Sequence, residues 1–365
     1  MRSFRLYMKN TLTLILLLAS ASVFSQTTDS AFYFYQRGIE EKTAGRWLVA
    51  SQNFDKAIRL NPRYTLAYLE NGNVNIEMRK TDAAKANFIK VTELEPGNVA
   101  ASAQLINLYF SYHQYQAALD LAKKCTSCAN NERTIALSYF YLQDYDNAEK
   151  ILVKLAKSNP TDAVILYTIG KVYLEMELEQ KAIYYYQKAT AIDNTKPVWM
   201  FELGMLYYVT ENYKNAVTFF NKATALGFTQ SAEFTENLGY AYLYSGEFDK
   251  GEKILLTIHN KKRGDKDIMR DLAQAYYDHK QYDKALEFCQ KLMELDIKDG
   301  KALYQAGLCF QKKGDLERGM QMCDKAIELD PSLRGLKKKN GGNETPPVTI
   351  RSFPSRLSRG RQPRW

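Results

Sequence analysis

The sequence has only three histidines among its 365 residues, His113, His259 and His279. None has a second histidine four residues away or a glutamate at the spacing of zinc proteases, so no histidine metal site is indicated. The chain has no glycine-rich phosphate loop, and no Ser/His/Asp set occurs in a recognisable motif. We therefore expect no catalytic activity, no metal and no cofactor, and we expect the histidines to lie on the surface.

Long stretches that alternate apolar and polar residues are also missing, which argues against β-strands. Prolines are few, nine in all. Four of them occur in dipeptides that separate apolar segments. Since proline cannot continue a helix and disfavours helical torsions in the residue before it, these dipeptides mark helix ends. These dipeptides are Asn61-Pro62, Glu95-Pro96, Asn159-Pro160 and Asp330-Pro331. The pattern predicts an all-α fold.

What the sequence does contain is a long internal repeat. Two marker positions lie twelve residues apart in each unit, and almost all of them carry glycine or alanine. The first markers are Gly38, Gly72, Ile106, Ala136, Gly170, Gly204, Gly239, Ala273 and Gly307. The second markers are Ala50, Ala84, Ala118, Ala148, Ala182, Ala216, Gly251, Ala285 and Gly319. A fixed period of about 34 residues is typical of a repeat array rather than of an enzyme built around one pocket.

Each unit is predicted to hold two amphipathic helices. After the second marker, apolar side chains recur four and seven residues later, as in Ala50, Phe54 and Ala57, and this spacing places them on one helical face. The small markers allow the two helices to approach, and a large side chain there would overpack the contact. One unit cannot bury its apolar face alone, so stability accumulates as units stack.

These positions resemble the tetratricopeptide repeat family, most clearly at Leu203-Gly204, Tyr207, Ala216, Phe220 and Ala223. Nine repeats are placed at about 31–64, 65–98, 99–128, 129–162, 163–196, 197–230, 232–265, 266–299 and 300–333. The third is four residues short. The resemblance implies a right-handed superhelical solenoid of helix-turn-helix repeats, without catalysis.

In that family the first helices of successive repeats line a concave groove, which the resemblance places at positions 5, 9, 12 and 13 of each unit. The predicted peptide-binding residues are Tyr35, Asn73, Asn107, Phe110, Tyr141, Tyr167, Tyr208, Tyr240, Tyr244, Tyr277 and Tyr304, with Arg133, Lys171 and Arg270 among them. Tyrosine is enriched in binding hot spots, and asparagine amides pair with a peptide backbone, so an extended peptide or a partner helix is the predicted ligand. The alternative interpretation is that many of these tyrosines belong to the repeat core.

Two functions follow from this interpretation. The first is a protein-interaction scaffold that holds a peptide or partner protein in an aromatic-lined groove. The alternative is a sensory or regulatory subunit of a cell-envelope complex that binds a small peptide or a glycan.

Five cysteines are present. Cys289 and Cys323 occupy the same place in adjacent repeats and are expected to be buried thiols, because neighbouring helices are too far apart for a disulfide. Cys125 and Cys128 lie where the short third repeat ends. We favour simple packing of these two thiols over a local disulfide, and both over a redox motif, since no thioredoxin-like context surrounds them.

The chain begins like a secretory signal peptide, with Arg2, Arg5 and Lys9 before an apolar stretch at 12–24. We expect residues 1–25 to be removed and the protein to be exported to the periplasm or cell envelope, or secreted. An uncleaved membrane anchor is the competing interpretation.

Residues 334–365 form a basic tail that is expected to be disordered, because it is rich in Pro, Gly, Ser and Arg and has no helical period. Three positive charges belong to the leader, and a net seven to the residues after Leu336. Removing both from the net charge of +9 leaves −1 for the rest of the chain. We therefore expect no nucleic acid on the repeats, and membrane contact only through the tail or an uncleaved leader.

Overall fold

The computed structural model describes residues 29–261 and 266–339, and side chains as far as Leu336. The described residues are helical and contain no strand. The first helices of the successive pairs are α1 (29–43), α3 (Thr65–Glu77), α5 (Val99–Ser111), α7 (Asn131–Tyr141), α9 (Ala163–Glu175), α11 (Pro197–Val209), α13 (Ala232–Ser245), α15 (Asp267–Asp278) and α17 (Gly300–Lys312). The second helices are α2 (Trp47–Leu60), α4 (Thr81–Leu94), α6 (Tyr115–Lys124), α8 (Tyr145–Ser158), α10 (Glu179–Ile192), α12 (Tyr213–Ala225), α14 (Phe248–Lys261), α16 (Tyr282–Leu295) and α18 (Leu316–Leu329). The predicted all-α repeat fold is confirmed.

The helices form two compact units that meet in sequence at Asn159-Pro160. The first unit contains α1 to α8 and the second begins with α9. Within each unit every helix packs against the next one in the chain, and in the second unit α15 also contacts α13 on one side and α17 on the other. No helix within 29–261 or 266–339 is long and apolar enough to cross a bilayer.

The two helices of each pair are joined by the same turn in all nine pairs of the described residues. The fifteenth residue of each unit adopts a left-handed conformation, with φ of 72° at Gly45 and 93° at Gly246. The same conformation occurs without glycine at six of these positions, with φ between 57° and 63°: Arg79, His113, Gln143, Glu177, Glu211 and Lys280. One turn geometry therefore sets the angle between the paired helices throughout.

Four of the first markers, Gly38, Gly72, Gly170 and Gly204, are small because an aromatic ring lies directly against them. A Cβ atom placed on Gly38 would lie 2.5 Å from Cε1 of Phe54, and one on Gly170 would lie 2.5 Å from Cδ2 of Tyr186. Both rings are fully buried. The helix pair is thus held by a ring from the second helix packed onto bare backbone of the first.

The short third repeat ends in a disulfide between Cys125 and Cys128, whose Cα atoms are 5.5 Å apart. The favoured interpretation of two packed thiols is therefore wrong. Because α6 ends early at Lys124, the chain turns sharply towards α7, and Asn131 Nδ2 donates a hydrogen bond of 2.7 Å to the carbonyl of Ala122. The disulfide thus lies in the turn that follows the shortened second helix.

Of the other predictions about single residues, the one for the buried thiols is confirmed and the one for the histidines is partly wrong. Cys289, Cys309 and Cys323 are free and buried, as predicted for the first and last of them. His259 is only 8% exposed within α14, so the prediction of a surface histidine is wrong there.

The two ends of the sequence lie largely outside the described residues. The predicted tail is helical at its start, since a 3-10 turn at Pro331–Leu333 leads into a short helix, α19 (Arg334–Lys339). Disorder from 334 is therefore wrong for 334–339, where the last helix pair is continued by one more turn. The rest of the tail and the predicted signal peptide at 1–25 lie outside the described residues.

Candidate functional site: the first-helix face

Side chains from the first helices of the first unit meet on one surface, which we term the first-helix face. Lys42 on α1 donates a hydrogen bond of 2.5 Å to Glu70 on α3. Beside this ion pair lies an opening of about 290 Å³, lined by Lys42, Trp47, Asn73, Ile76, Glu77 and Gln104. Three successive repeats contribute to it, and it includes one predicted site residue, Asn73. The opening offers two amides and a charge of each sign around an indole ring.

Aromatic residues continue this face on both sides of the opening. Tyr35 is half-buried, 5.1 Å from Tyr64 between ring centres, and burial raises the pKa of its hydroxyl. Further along, Phe110 on α5 lies 5.8 Å from Tyr141 on α7. Asn107, one helical turn before Phe110, is exposed. Arg133, the basic residue predicted for this unit, is half-buried. The six predicted residues of the first unit are thus all at least partly accessible.

In the second unit the predicted tyrosines are much more buried. Tyr167 stacks on Trp199 at 4.5 Å, and its hydroxyl donates to Glu202 at 2.9 Å, so it is only 5% exposed. Tyr240 donates to Asp271 at 2.6 Å. These rings join one first helix to the next. Their main observed role is packing between repeats, which is the alternative that sequence reasoning left open.

The remaining tyrosines of the set differ in accessibility. Tyr244 is half-buried, and its pKa is raised by burial first and by the nearby Asp271 carboxylate second. Burial raises the pKa of Tyr277 to about 12. Tyr208 is 8% exposed and Tyr304 is 1% exposed. Tyr304 therefore offers a ligand almost no surface, whereas Tyr244 offers part of its ring.

The two basic residues predicted for the second unit, Arg270 and Lys171, both have partners within the repeats. Arg270 donates a hydrogen bond of 2.8 Å to Asp299, whose side chain is 3% exposed. Lys171 lies over the ring of Tyr167, with its Nζ 6.0 Å from the ring centre. Both cations are therefore held within the repeats rather than projecting alone.

Sequence reasoning missed the carboxylates of this face. Glu202 and Asp271 occupy position 6 of their repeats, one residue after a position chosen for the predicted set, and each accepts a tyrosine hydroxyl. Position 6 lies three residues before position 9 and is its neighbour on the helix surface, so the helical period is the signal that identifies these carboxylates. In the described residues no group of histidine, cysteine and acidic side chains is arranged to hold a metal ion.

The described residues form helix pairs joined by one repeated turn, and within each unit every pair packs against the next. This architecture defines a helical-repeat protein. Sequence profiles of the tetratricopeptide repeat match residues 133–197 and 236–299, and a second such profile matches 200–226 and 300–333. The chain belongs to the tetratricopeptide repeat family. This membership supports a protein–protein interaction scaffold with a protein or peptide partner.

Two curated proteins illustrate the range of its relatives. The chain is 24% identical over 163 residues to anaphase-promoting complex subunit 3 of Schizosaccharomyces pombe, which covers 43% of this chain and 24% of that protein. It is 22% identical over 121 residues to lipopolysaccharide assembly protein B of Escherichia coli strain K12, which covers 31% of each. The chain thus spans less than a third of either protein's length.

Among solved structures, the chain is similar to YrrB, described as a tetratricopeptide repeat protein with an unusual peptide-binding site. The two are 23% identical, the match covers 51% of this chain and 97% of YrrB, and the TM-score is 0.35. At this identity the likeness concerns the fold alone.

Proposed function

We propose that this protein is a non-catalytic scaffold that captures an extended segment of a partner protein on the first-helix face of its first unit. The observation that carries the proposal is the opening of about 290 Å³ lined from three successive repeats. A surface built by several repeats at once matches a ligand that runs along the array.

The chemistry of the opening suits a peptide. Asn73 and Gln104 supply amides, each with donors and an acceptor, as a peptide backbone requires. Trp47 offers an aromatic surface for an apolar side chain of the partner. Lys42 is paired with Glu70, which leaves one acidic side chain, Glu77, in the lining, so the opening does not depend on a strongly charged ligand.

The structure also directs the choice of variants. Tyr208 and Tyr240 belong to the predicted set, but both are less than a tenth exposed, so truncating them would disturb packing as well as binding. Asn73 is half-buried and makes only a long hydrogen bond of 3.4 Å to Glu70. It can therefore be shortened at little cost to the fold.

The test is photocrosslinking in cells with a benzophenone amino acid at the exposed position of Asn107, followed by mass spectrometry. We expect one dominant partner, whose adduct is strongly reduced by the double variant Asn73→Ala/Gln104→Ala. The control is Asn87→Ala on α4, whose amide bonds its own helix at the carbonyl of Ala83. An adduct pattern that the double variant leaves unchanged would contradict the proposed site.

We also propose that the protein is exported. The Cys125–Cys128 disulfide supports this, because such bonds persist in oxidising compartments and are rare in the cytosol. Amino-terminal sequencing of the protein purified from its native host tests it. A first residue of Gln26 is expected, and a start at Met1 would count against removal of the leader.

A further inference from the structure

A second opening lies elsewhere in the molecule, between α10, the end of α11 and the start of α12. Its volume is about 350 Å³. The lining residues are Gln180, Ile183, Tyr184, Gln187, Tyr207, Thr210, Asn212 and Asn215. None of these side chains is charged, and four are amides. We term this opening the amide cleft; it belongs to the fifth and sixth repeats and shares no residue with the first-helix face.

The same place is bridged by charges in the eighth and ninth repeats. There the carboxylate of Asp283 on α16 accepts a hydrogen bond from Lys313 at the end of α17. The residues at the corresponding positions of the fifth and sixth repeats are Gln180 and Thr210, between which no hydrogen bond is formed. Because Gln180 and Thr210 are uncharged and do not bond each other, the cleft between the fifth and sixth repeats stays open. The corresponding place between the eighth and ninth repeats is bridged by Asp283 and Lys313.

The second and third repeats are bridged at this place as well. Lys85 donates a hydrogen bond of 3.0 Å to Gln114, and the hydroxyl groups of Thr81 and Tyr112 are 2.7 Å apart. An open, uncharged cleft is therefore not a general consequence of stacking these repeats. It results from the residues that the fifth and sixth repeats carry.

The amides of the cleft are available to a ligand. The side chains of Gln180, Asn212 and Asn215 are exposed and make no hydrogen bond within the part of the chain that the structure describes. Gln187 differs, since its Nε2 donates to the hydroxyl of Tyr207, which forms the floor of the cleft. Each free amide presents two donors and one acceptor oxygen.

An aromatic ring completes the cleft. Tyr184 is 49% exposed, and the Nζ of Lys188 lies 4.5 Å from its ring centre. The ring of Tyr185 also meets it edge-on at 5.1 Å between ring centres, and the exposed half of Tyr184 remains open to a ligand. Aromatic rings supply rigid apolar area with a polar tip, which suits a ligand that is apolar on one face and hydroxylated at its edge.

We propose that the amide cleft binds a neutral saccharide. Hydroxyl groups both donate and accept hydrogen bonds, as side-chain amides do, and the absence of charge in the lining disfavours anionic or cationic ligands. The volume is near the lower end of the range for small-molecule sites, about 300–1,000 Å³. A neutral peptide has matching amide chemistry, but an extended backbone needs a groove that continues along several repeats, and this cleft is confined to two.

The test uses the full chain and two uncharged probes, cellotetraose and chitotetraose. Saturation-transfer NMR should show contact with at least one of them, and calorimetry should give its affinity. We expect Tyr184→Ala and Asn215→Ala each to weaken that affinity about tenfold, because each removes one of the few specific contacts a small ligand can make. Circular dichroism should be unchanged, since both side chains lie mainly in solvent.

Two matched variants remove the same groups elsewhere. Tyr112→Ala deletes a tyrosine that is 58% exposed in the first unit, and Gln290→Ala deletes an exposed amide on α16. Neither should alter saccharide binding. The proposal is overturned if neither probe binds at millimolar concentration, if the cleft variants bind as well as the wild type, or if the uncharged peptide Ac-Gly-Asn-Ser-Gly-NH2 displaces the saccharide.

Discussion

The hydroxyl of Tyr186 on α10 donates a hydrogen bond of 2.7 Å to the carboxylate of Glu202 on α11. Tyr186 is fully buried, and its ring is the one packed against the bare backbone of Gly170. Tyr167 donates to the same carboxylate oxygen at 2.9 Å. One acidic side chain of the sixth repeat therefore holds two tyrosines of the fifth.

Replacing Tyr186 with phenylalanine should lower the free energy of unfolding by about 1.5–3 kcal/mol, the usual contribution of a hydrogen bond to a charged group. The ring and its packing are retained, so the loss reports the hydroxyl alone. Urea denaturation followed by circular dichroism measures it. Tyr184→Phe is the control, because that hydroxyl is on the exposed neighbouring surface, and an equal loss in both variants would contradict the role of Glu202.

Burial also raises the pKa of a group of tyrosines across the array: Tyr35, Tyr64, Tyr141, Tyr186, Tyr213, Tyr244, Tyr276, Tyr277 and Tyr304. In the unfolded chain they ionise near pH 10. A raised folded pKa means that their contribution to stability is complete below about pH 10. It is lost as the pH rises further, because only the unfolded chain releases these protons readily.

The expected result is a melting temperature that falls between about pH 9.5 and pH 12. Ultraviolet absorbance should show that these nine tyrosines form tyrosinate only together with the loss of helix. Ionisation of all tyrosines in one step with full helicity would show that these hydroxyls are not protected by the fold.

The helical period predicts the fold well, but it does not predict every turn. Gly246 and Gly314 mark the turns of their repeats in the sequence, whereas Gln143 and Glu177 adopt the same left-handed conformation without any local preference for it. Their torsions are imposed by the two helices they join. Only the repeat register, applied to the fifteenth position, brings all these turns together.

The site was predictable only in part, for a related reason. Register places Asn73 on the first-helix face, but it cannot show that Tyr240 is covered, because its partner Asp271 lies 31 residues away in the next repeat. The amide cleft has no sequence motif either. The cleft is recognised by comparing Gln180 with Asp283, which holds the same position in the eighth repeat. Only the structure shows that Asp283 bridges this place.

A further prediction concerns Gly251 on α14. A Cβ atom at this position would lie 2.7 Å from the backbone nitrogen of Leu243 and 2.9 Å from the carbonyl oxygen of Gly239. Both contacts are with backbone atoms of α13, which cannot move aside as the end of a flexible side chain can. Gly251→Ala should therefore reduce the free energy of unfolding by about 1–3 kcal/mol, although alanine favours helices.

The control for this variant is Gly97→Ala, where nothing lies within 4 Å of the added atom. It should be nearly neutral, and thermal denaturation of the two proteins side by side separates them. If Gly251→Ala matched Gly97→Ala, the close approach of α13 and α14 would be refuted.

The disulfide of the third repeat should stabilise the first unit. Closing a loop of this length reduces the entropy of the unfolded chain by an amount that corresponds to about 2 kcal/mol. In Cys125→Ser/Cys128→Ser we therefore expect faster amide exchange at the end of α6 and the start of α7. The second unit provides the internal control, because Cys289, Cys309 and Cys323 are free and buried there.

Thiol counting by mass spectrometry checks the same assignment. Denatured without reductant, the protein should take up alkylating reagent at the three free cysteines, and at all five after reduction. In the native state these three should react slowly at pH 8 because all are buried. Burial also raises the pKa of Cys309 to about 12 and raises that of Cys289. Five labels without reductant would show that the turn after α6 is held without a covalent bond, and the double serine variant would then lose no stability.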